Sequence, residues 1–382
     1  MEIILKQNKK TALNVILLAA VAVVLLVASG LQSRSLRAER HGALGQDNAG
    51  YSADVPPMIT FVSVALGGFR GVIADLLWLR VSKMQEEQRF VELVQLSDWI
   101  TKLEPHMAEV WVFHAWNMSY NVSVLMSRPE DKWRWVQNGI ELLRDEGLVL
   151  NPRSAMLHRE LGWIFQHKLG MEGDSASWYY RREWARYVSA YLGENGGIPD
   201  EEGILVSELE ASLKMDTTTM AEIEAEFGKI DWRMPMAHSL YWGWTGLELA
   251  GDSEKLPCRR MVYTSLMEMA RRNGILVGDL DAEDAKFLAR PNSALISPTL
   301  KFIEDTMAMH DFSGIRFAYM GLLREGMHIK MAEGQEAEAR RLYGKMVEFF
   351  KGKTERQLPV FEEALRASDD VYESMMSAAG FY

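Results

Sequence analysis

One short segment of the chain brings an acid, a base, an imidazole and an aromatic ring together, since residues 231–238 read DWRMPMAH. A proline in this setting is typical of the first turn of a helix, and a helix N-terminus can accept a carboxylate or a phosphate. Asp231, Arg233 and His238 are therefore a candidate charged site. The alternative is structural: Asp231 pairs with Arg233, and the segment shapes the turn before the helix.

The histidines and the known catalytic motifs give no further site. His158 and His167 are nine residues apart, which places them on opposite faces of a helix, and the sequence contains no HExxH pair. It also contains no GxxxxGK[ST] phosphate loop, no GxSxG turn and no SxxK motif. We therefore expect no metal, no cofactor and no catalytic residue, so the chain is predicted not to be an enzyme.

Tryptophan and tyrosine are concentrated in residues 111–184 and 232–244. Packing between helices explains most aromatic residues in such stretches. The alternative is a groove that presents aromatic faces to a peptide or a glycan. The candidates for this groove are Trp111, Trp116, Trp163 and Trp178.

Composition excludes several classes of protein. The 382 residues include 42 Lys and Arg against 53 Asp and Glu, a net charge of -11, so a broad nucleic-acid-binding surface is not expected. The single cysteine, Cys258, cannot form an intramolecular disulfide. With 12 Trp and 23 Met, the chain suits helical cores with bulky, adaptable packing.

The N-terminal region predicts a membrane anchor. Residues 11–32 carry no charge and are long enough to span a bilayer, which needs roughly 20 residues. The alternative is a cleaved signal peptide, with Val27, Ala28 and Ser29 as the cleavage site. The apolar run is longer than the 7 to 15 residues usual for such a peptide, which favours the anchor.

The anchor implies a layout for the rest of the chain. We expect residues 1–10 to form a cytoplasmic tail, residues 33–57, rich in Gly, Ala, Asp and Pro, to form a linker, and the large domain to lie outside the cytoplasm. This describes a single-pass protein of a bacterial inner membrane. Contact with the bilayer surface should be confined to Arg34, Arg37 and Arg40 beside the anchor.

Beyond Met58 the apolar residues recur every three or four positions, which predicts an all-α domain. One helix should begin around Pro129, with Ser127 as its cap, and stop at Gly147. Another should open at Asn151 and Pro152 and end at Gly170. Short loops between such helices favour antiparallel neighbours.

Several of these helices resemble the tetratricopeptide repeat family. Pro152 is followed by Leu161, Gly162 and Phe165 at the spacing of that family, and Pro105 precedes Trp111 and Ala115 in a similar way. Near the C-terminus, the turn and second helix of a repeat are matched by Gly334, Ala339 and Tyr343.

The repeat pattern is degenerate, because Pro105 and Pro152 are 47 residues apart where the family has about 34. The resemblance implies an α-solenoid of antiparallel helix pairs: an N-terminal half at 58–192, a less regular acidic connection at 193–215 and a C-terminal half at 216–382. It also implies a concave surface that binds a protein. We therefore expect an anchored scaffold that holds a protein partner in an envelope complex. The alternative is a protein that binds or hydrolyses envelope glycan through a carboxylate pair.

Overall fold

The computed structural model describes residues 70–199, 204–278, 280, 287–354 and 358–381. The prediction of an all-α protein is confirmed for these ranges, whose regular elements are helices apart from one two-stranded hairpin. The chain forms two compact units, Met1–Asn117 and Met118–Tyr382.

The predicted tail at 1–10, the anchor at 11–32 and the linker at 33–57 lie outside the described residues. Within the described ranges, no helix combines the length and the apolar character that crossing a bilayer requires. Attachment to a membrane therefore stays a prediction from the sequence.

The described part of the first unit consists of helices α1 (Arg70–Glu86), α2 (Phe90–Leu103) and α3 (Ala108–Trp116). A short turn joins α1 to α2, so the two helices pack as neighbours. Trp78 of α1 meets Phe113 of α3 edge-on, with ring centroids 4.9 Å apart. The apolar core between the helices consists of Val81, Met84, Leu93, Leu96, Ile100 and Val110.

Short connections also join most of the helices of the second unit. In chain order these are α4 (Pro129–Glu141), α5 (Ala155–Trp163), α6 (Ser177–Ser189), α7 (Ile204–Leu213), α8 (Thr217–Phe227), α9 (Pro235–Leu249), α10 (Asp252–Arg271), α11 (Ile296–Met309), α12 (Ser313–Ala332), α13 (Glu336–Phe350), α14 (Phe361–Ala364) and α15 (Asp369–Ala378). Strands β1 (Ile275–Val277) and β2 (Leu288–Arg290) pair antiparallel between α10 and α11.

The helix starts follow from identifiable residues. Pro129 opens α4, and two acids in its first turn face the positive end of the helix dipole. The predicted cap at Ser127 is wrong, because Arg128 precedes the helix and makes no side-chain cap. Ser154 caps α5 by accepting a hydrogen bond from the Leu157 amide at 3.3 Å.

The prediction that a helix stops at Gly147 is wrong. After α4 the chain continues through a π-helical segment, Leu142–Gly147, and a further α-helical turn, Leu148–Leu150. Two more π-helical segments, Asn117–Val122 and Ile164–Gly170, follow α3 and α5. Each contains the wider i→i+5 turn. The residues that follow therefore lie on a different face of the helix from the one that an uninterrupted α-helix would give them.

Two further boundaries differ from the sequence prediction. Residues 151–154 form a turn, so α5 begins at Ala155 rather than at Asn151 and Pro152. The region 193–215 includes a regular helix, α7, where a less regular connection is predicted. The assignment of 193–215 as the divide between two halves stays a prediction.

Helix α9 lies at the centre of the second unit, packed against α5 and α10. Ten of its residues are buried, including Trp242 and His238. Gly162 of α5 permits the close approach, because a Cβ there would lie 3.2 Å from the Ser239 carbonyl oxygen and 3.3 Å from Cβ of Trp242.

A buried polar cluster ties the same helices together. The side-chain amide of Gln166 donates to the hydroxyl of Ser265 at 2.9 Å and to the Met261 carbonyl at 3.2 Å. Ser265 in turn donates to the Ser239 hydroxyl at 2.9 Å. Each serine hydroxyl in the cluster is thereby satisfied inside the core, which sets the register of three helical segments against one another.

Candidate functional site

A cleft of about 390 Å³ opens on the second unit between α4, the π-helical segment Leu142–Gly147 and α6. We call it the aromatic cleft. Its lining combines three aromatic rings with two arginines and two glutamates. The lining residues are Trp133, Gln137, Ile140, Glu141, Arg144, Glu183, Trp184, Arg186 and Tyr187.

The α4 wall of the aromatic cleft follows from helical spacing. Trp133, Gln137 and Ile140 recur at i, i+4 and i+7, so they share one face of the helix. Trp133 is half-buried and stacks on Tyr180 of α6, with ring centroids 5.8 Å apart and an angle of 29° between the rings. This contact fixes one wall of the cleft to the other.

Trp184 forms the floor of the aromatic cleft. Its ring is 3% exposed and packs against Phe165 and His238, at centroid distances of 4.7 Å and 4.9 Å. Its indole nitrogen is buried and has no hydrogen-bond acceptor among the described residues. A buried indole N–H usually finds a partner, so this unsatisfied donor is an exception within the packed floor of the cleft.

Arg144 reaches the cleft from the π-helical segment. It is 5% exposed, and its guanidinium donates two hydrogen bonds of 2.7 Å to the carboxylate of Asp145. Burial lowers the pKa of Arg144, but the hydrogen bonds and charge of Asp145 outweigh that effect, so the pKa is raised. The cleft therefore holds a fixed, paired positive charge.

The remaining charges form the rim of the cleft. Glu141 accepts a hydrogen bond of 2.9 Å from the side-chain amide of Gln137. Glu183 pairs with Arg182 at 2.9 Å, outside the cleft lining, and lies 3.8 Å from Arg186. Tyr187 is 37% exposed, and burial is the main cause that raises the pKa of its phenol. Its hydroxyl is thus a neutral donor at neutral pH.

These groups suit binding better than chemistry. Aromatic faces and edges pack against apolar or ring-shaped groups, and the paired charges at the rim can orient a polar ligand. In the described part of the chain, no group of three or more His, Cys, Asp and Glu side chains could hold a metal ion.

The four tryptophans proposed from the sequence take different positions. In the first unit, Trp111 is 3% exposed and donates its indole N–H to the Pro105 carbonyl at 2.9 Å, so its ring faces are not open to a partner. Trp116, in the same unit, is 38% exposed. In the second unit, Trp163 stacks on His167 at 5.0 Å. Trp178 is 50% exposed and lies edge-on to Tyr179. None of them lines the aromatic cleft.

The charged segment at 231–238 is held together by internal bonds. The Arg233 guanidinium donates to the two carboxylate oxygens of Asp231 at 2.8 Å and 2.7 Å. Asp231 also accepts the Leu276 amide at 2.9 Å, and Arg233 donates to the Asn195 carbonyl at 3.2 Å. The pair thereby joins the loop before α7 and strand β1 to the start of α9.

His238 does not join this ion pair through a hydrogen bond. Its Nε2 lies 2.8 Å from the Trp232 carbonyl oxygen, and its ring stacks on Phe165 at 5.1 Å. Burial lowers the pKa of His238 to about 3, against the opposing effect of the hydrogen bond to the Trp232 carbonyl. His238 is therefore neutral and packed in the core beneath Trp184.

The sequence analysis does not single out Trp133 and Trp184 for a groove. The spacing of Trp133, Gln137 and Ile140 along α4 is visible in the sequence and marks one face of that helix. Trp184 carries no such signal, because it lines a cleft only through the packing of α6 against α4. The place of Arg144 depends on the π-helical segment that carries it.

Comparison with protein-family models, with curated proteins and with solved structures found no match for this chain. The repeat family inferred from the sequence therefore stays a resemblance. The function has to be argued from the residues of the chain and their geometry.

Proposed function

We propose that the chain is a membrane-anchored, tetratricopeptide-like helical scaffold that binds a protein partner in a bacterial envelope complex, with the aromatic cleft as the binding surface. The observation that carries the proposal is the composition of the cleft: Trp133, Trp184 and Tyr187 together with Arg144 and Arg186. Tryptophan, tyrosine and arginine are the residues enriched where protein interfaces gain most of their affinity.

The cleft favours a peptide segment with an apolar or aromatic side chain. Such a side chain would lie between the rings of Trp133 and Tyr187, while Arg186 and Glu183 at the rim would pair with polar groups on either side of it. The Arg144 guanidinium is already paired with Asp145 in the unbound protein. Desolvation of its charge is therefore offset before binding and does not weaken the affinity for the partner.

Attachment to the membrane would make such a cleft effective. An anchor at residues 11–32 confines the second unit to the neighbourhood of the bilayer, which raises the effective concentration of any partner in the same membrane. A shallow cleft with modest intrinsic affinity would then hold its partner. The scaffold function thus depends on both the anchor and the cleft.

Co-purification from membranes tests the proposal. The full-length protein is crosslinked in cells, extracted in mild detergent and compared with the Trp133→Ala variant. We expect Trp133→Ala to lose the crosslinked partner. Because Trp133 also stacks on Tyr180, the substitution should lower the melting temperature, so binding is compared at a temperature where the circular dichroism of the variant matches that of the wild type.

Trp178→Ala is the matched control, because Trp178 is also an exposed tryptophan of the second unit but lies outside the cleft. If Trp178→Ala lost the partner and Trp133→Ala retained it, the partner would bind outside the aromatic cleft. Recovery of only free monomer from the wild type would refute the scaffold.

A glycan is the second candidate ligand, because two carboxylates, Glu141 and Glu183, share the cleft with aromatic rings. Both carboxylates are engaged by neighbours, Glu141 by Gln137 and Glu183 by Arg182, which favours sugar binding over hydrolysis. Titration of soluble cell-wall fragments with detection of tryptophan fluorescence distinguishes the two ligands. A saturable change that Trp133→Ala abolishes would favour the glycan.

A further inference from the structure

Helix α1 is apolar on two sides. Its inner side packs on the core of the first unit through Ala74, Val81 and Met84, which are 0% to 5% exposed. Its outer side carries Val72, Leu76 and Leu79, which are 51%, 61% and 69% exposed. A helix with two apolar sides normally lies between two neighbours, and α1 has a protein neighbour on the inner side alone among the described residues.

The three exposed residues form a continuous stripe. They are spaced by four and three positions, so they lie on one helix face and extend over about 10 Å along its axis. Exposed Arg80 and Lys83 lie beside and beyond the end of the stripe, and Asp75 flanks its other edge. Exposed Glu86 and Glu87 lie where α1 ends, with Lys83 3.9 Å from Glu87. The stripe therefore has the form of the apolar face of a helix that lies flat in a membrane interface, with charged side chains of both signs at the level of the headgroups.

The chain that precedes α1 favours a bilayer as the occupant. The predicted anchor ends at residue 32, and the 37 residues 33–69 separate it from the start of α1. The predicted linker, the 25 residues 33–57, would span roughly 25–30 Å as a flexible chain, so the anchor would keep the start of the domain close to the membrane surface. Residues 58–69, MITFVSVALGGF, carry no charge, so the sequence next to α1 is also compatible with lipid.

We propose that α1 lies on the surface of a phospholipid bilayer, with Val72, Leu76 and Leu79 among the acyl chains and with Arg80 and Lys83 at the headgroups. This inference rests on the anchor of the proposed function. It revises the expectation that only Arg34, Arg37 and Arg40 contact the bilayer surface. It also fixes one side of the first unit against the membrane.

Site-specific fluorescence in liposomes tests the inference. Leu79→Cys is labelled with an environment-sensitive dye in the full-length protein, which is reconstituted into phosphatidylcholine liposomes with or without brominated acyl chains. Cys258 is fully buried, so the natural thiol stays unlabelled. Gln85→Cys, at an exposed position on the opposite side of α1, is the matched control, and Val23→Cys reports on the anchor itself.

We expect brominated lipid to lower the emission of the Leu79 label by roughly half, since the apolar face of an interfacial helix lies about 5–10 Å deep. The Gln85 label should be unaffected. Quenching at Val23 without quenching at Leu79 would overturn the inference and leave the anchor intact, while quenching at neither position would overturn both. A Leu79 label that is equally shielded in detergent and in lipid would indicate a second copy or another protein, and would also overturn it.

Discussion

The side-chain amide nitrogen of Gln166 lies 2.9 Å from the hydroxyl oxygen of Ser265, although 99 residues separate them in the chain. Gln166 belongs to the π-helical segment Ile164–Gly170, and Ser265 belongs to α10. Both are buried, so their hydrogen bond replaces the water that the unfolded chain would offer each of them.

We expect Gln166→Ala to lower the free energy of unfolding by about 2–4 kcal/mol, because it opens a cavity and leaves the Ser239 and Ser265 hydroxyls with fewer partners. Chemical denaturation followed by circular dichroism measures the change. Gln85→Ala, at an exposed position on α1, should change the free energy of unfolding by less than about 0.5 kcal/mol. Equal effects of the two substitutions would show that the buried cluster contributes nothing specific.

Stability should fall in mild acid because buried histidines with lowered pKa values, His114 and His238 among them, must be protonated on unfolding. His114 of α3 is 4% exposed, neither ring nitrogen has a hydrogen-bond partner in the described ranges, and burial lowers its pKa from 6.5 to about 4. Between these two values the unfolded chain binds a proton that the folded chain excludes. The free energy of unfolding should therefore decrease as pH falls from about 6.5 to 4, by up to about 1.4 kcal/mol per pH unit for this group.

His114→Leu removes the titrating group, so we expect a shallower decline of the unfolding free energy over the same pH range. The measurement is urea denaturation at a series of pH values. Gln85→Ala, which leaves every titrating group in place, should leave the slope unchanged. An unaltered slope in His114→Leu would mean that His114 protonates as easily in the folded chain as in the unfolded one.

Gly196→Ala should destabilise the second unit. Gly196 has φ of +74°, and an added Cβ would contact the carboxylate of Asp231 and lie 2.6 Å from Nε of Arg233. We expect a loss of more than about 2 kcal/mol, from backbone strain and from displacement of the ion pair together. Differential scanning calorimetry provides the measurement.

Gly334→Ala separates these two causes. Gly334 has φ of +73°, close to that of Gly196, but nothing lies within 4 Å of a Cβ at that position, so only strain should act there. We expect a smaller loss of stability than in Gly196→Ala. If the two variants lose the same amount, the packing of the loop against Asp231 has no energetic importance.

Lys168 and Asp174 form a buried ion pair, with Nζ 2.6 Å from Oδ2 and side chains 4% and 9% exposed. Burial raises the pKa of Asp174, but the hydrogen bond from Lys168 and the other interactions outweigh it and lower the pKa overall. The pair therefore stabilises the fold above the unfolded pKa of an aspartate, and this contribution disappears as pH falls through the folded value.

Lys168→Met should cost on the order of 3–5 kcal/mol, because it leaves the Asp174 carboxylate buried without its cation. The double variant Lys168→Met with Asp174→Asn should recover part of this loss. Urea denaturation of the wild type, both single variants and the double variant gives the coupling energy. Strict additivity would contradict an interaction between the two side chains.

The sequence predicts the features of this fold that depend on local chemistry. The start of α4 at Pro129 follows from the preference of proline for the first helical turn, and its acidic first turn follows from the helix dipole; the structure confirms both, although the predicted cap at Ser127 is wrong. Gly334 has φ of +73° in the turn between α12 and α13, where the repeat resemblance places a turn. Such features involve residues close in sequence, so local rules are sufficient.

Features that depend on distant residues are not visible in this way. Gly147 looks like a helix stop, yet the helical chain continues through it because Leu142, Leu143 and Leu148 are held in the core. The floor of the aromatic cleft at Trp184 depends on Phe165 and His238, which belong to two other helical segments. Periodicity can show that a tryptophan lies on the apolar face of a helix, but it cannot show which other elements that face packs against.

The π-helical segments affect where this sequence can lose a residue. A single extra residue within an α-helix is commonly absorbed as one wide turn, so loss of one residue from Leu142–Gly147 would restore a regular α-helix. Side chains beyond the deletion, Leu148 among them, would keep their present face, because the wide turn already accommodates the extra residue. The same deletion within a regular α-helix would rotate every following side chain by about 100° around the helix axis. Single-residue deletions in these stretches should therefore be tolerated better than deletions in the middle of α9 or α10.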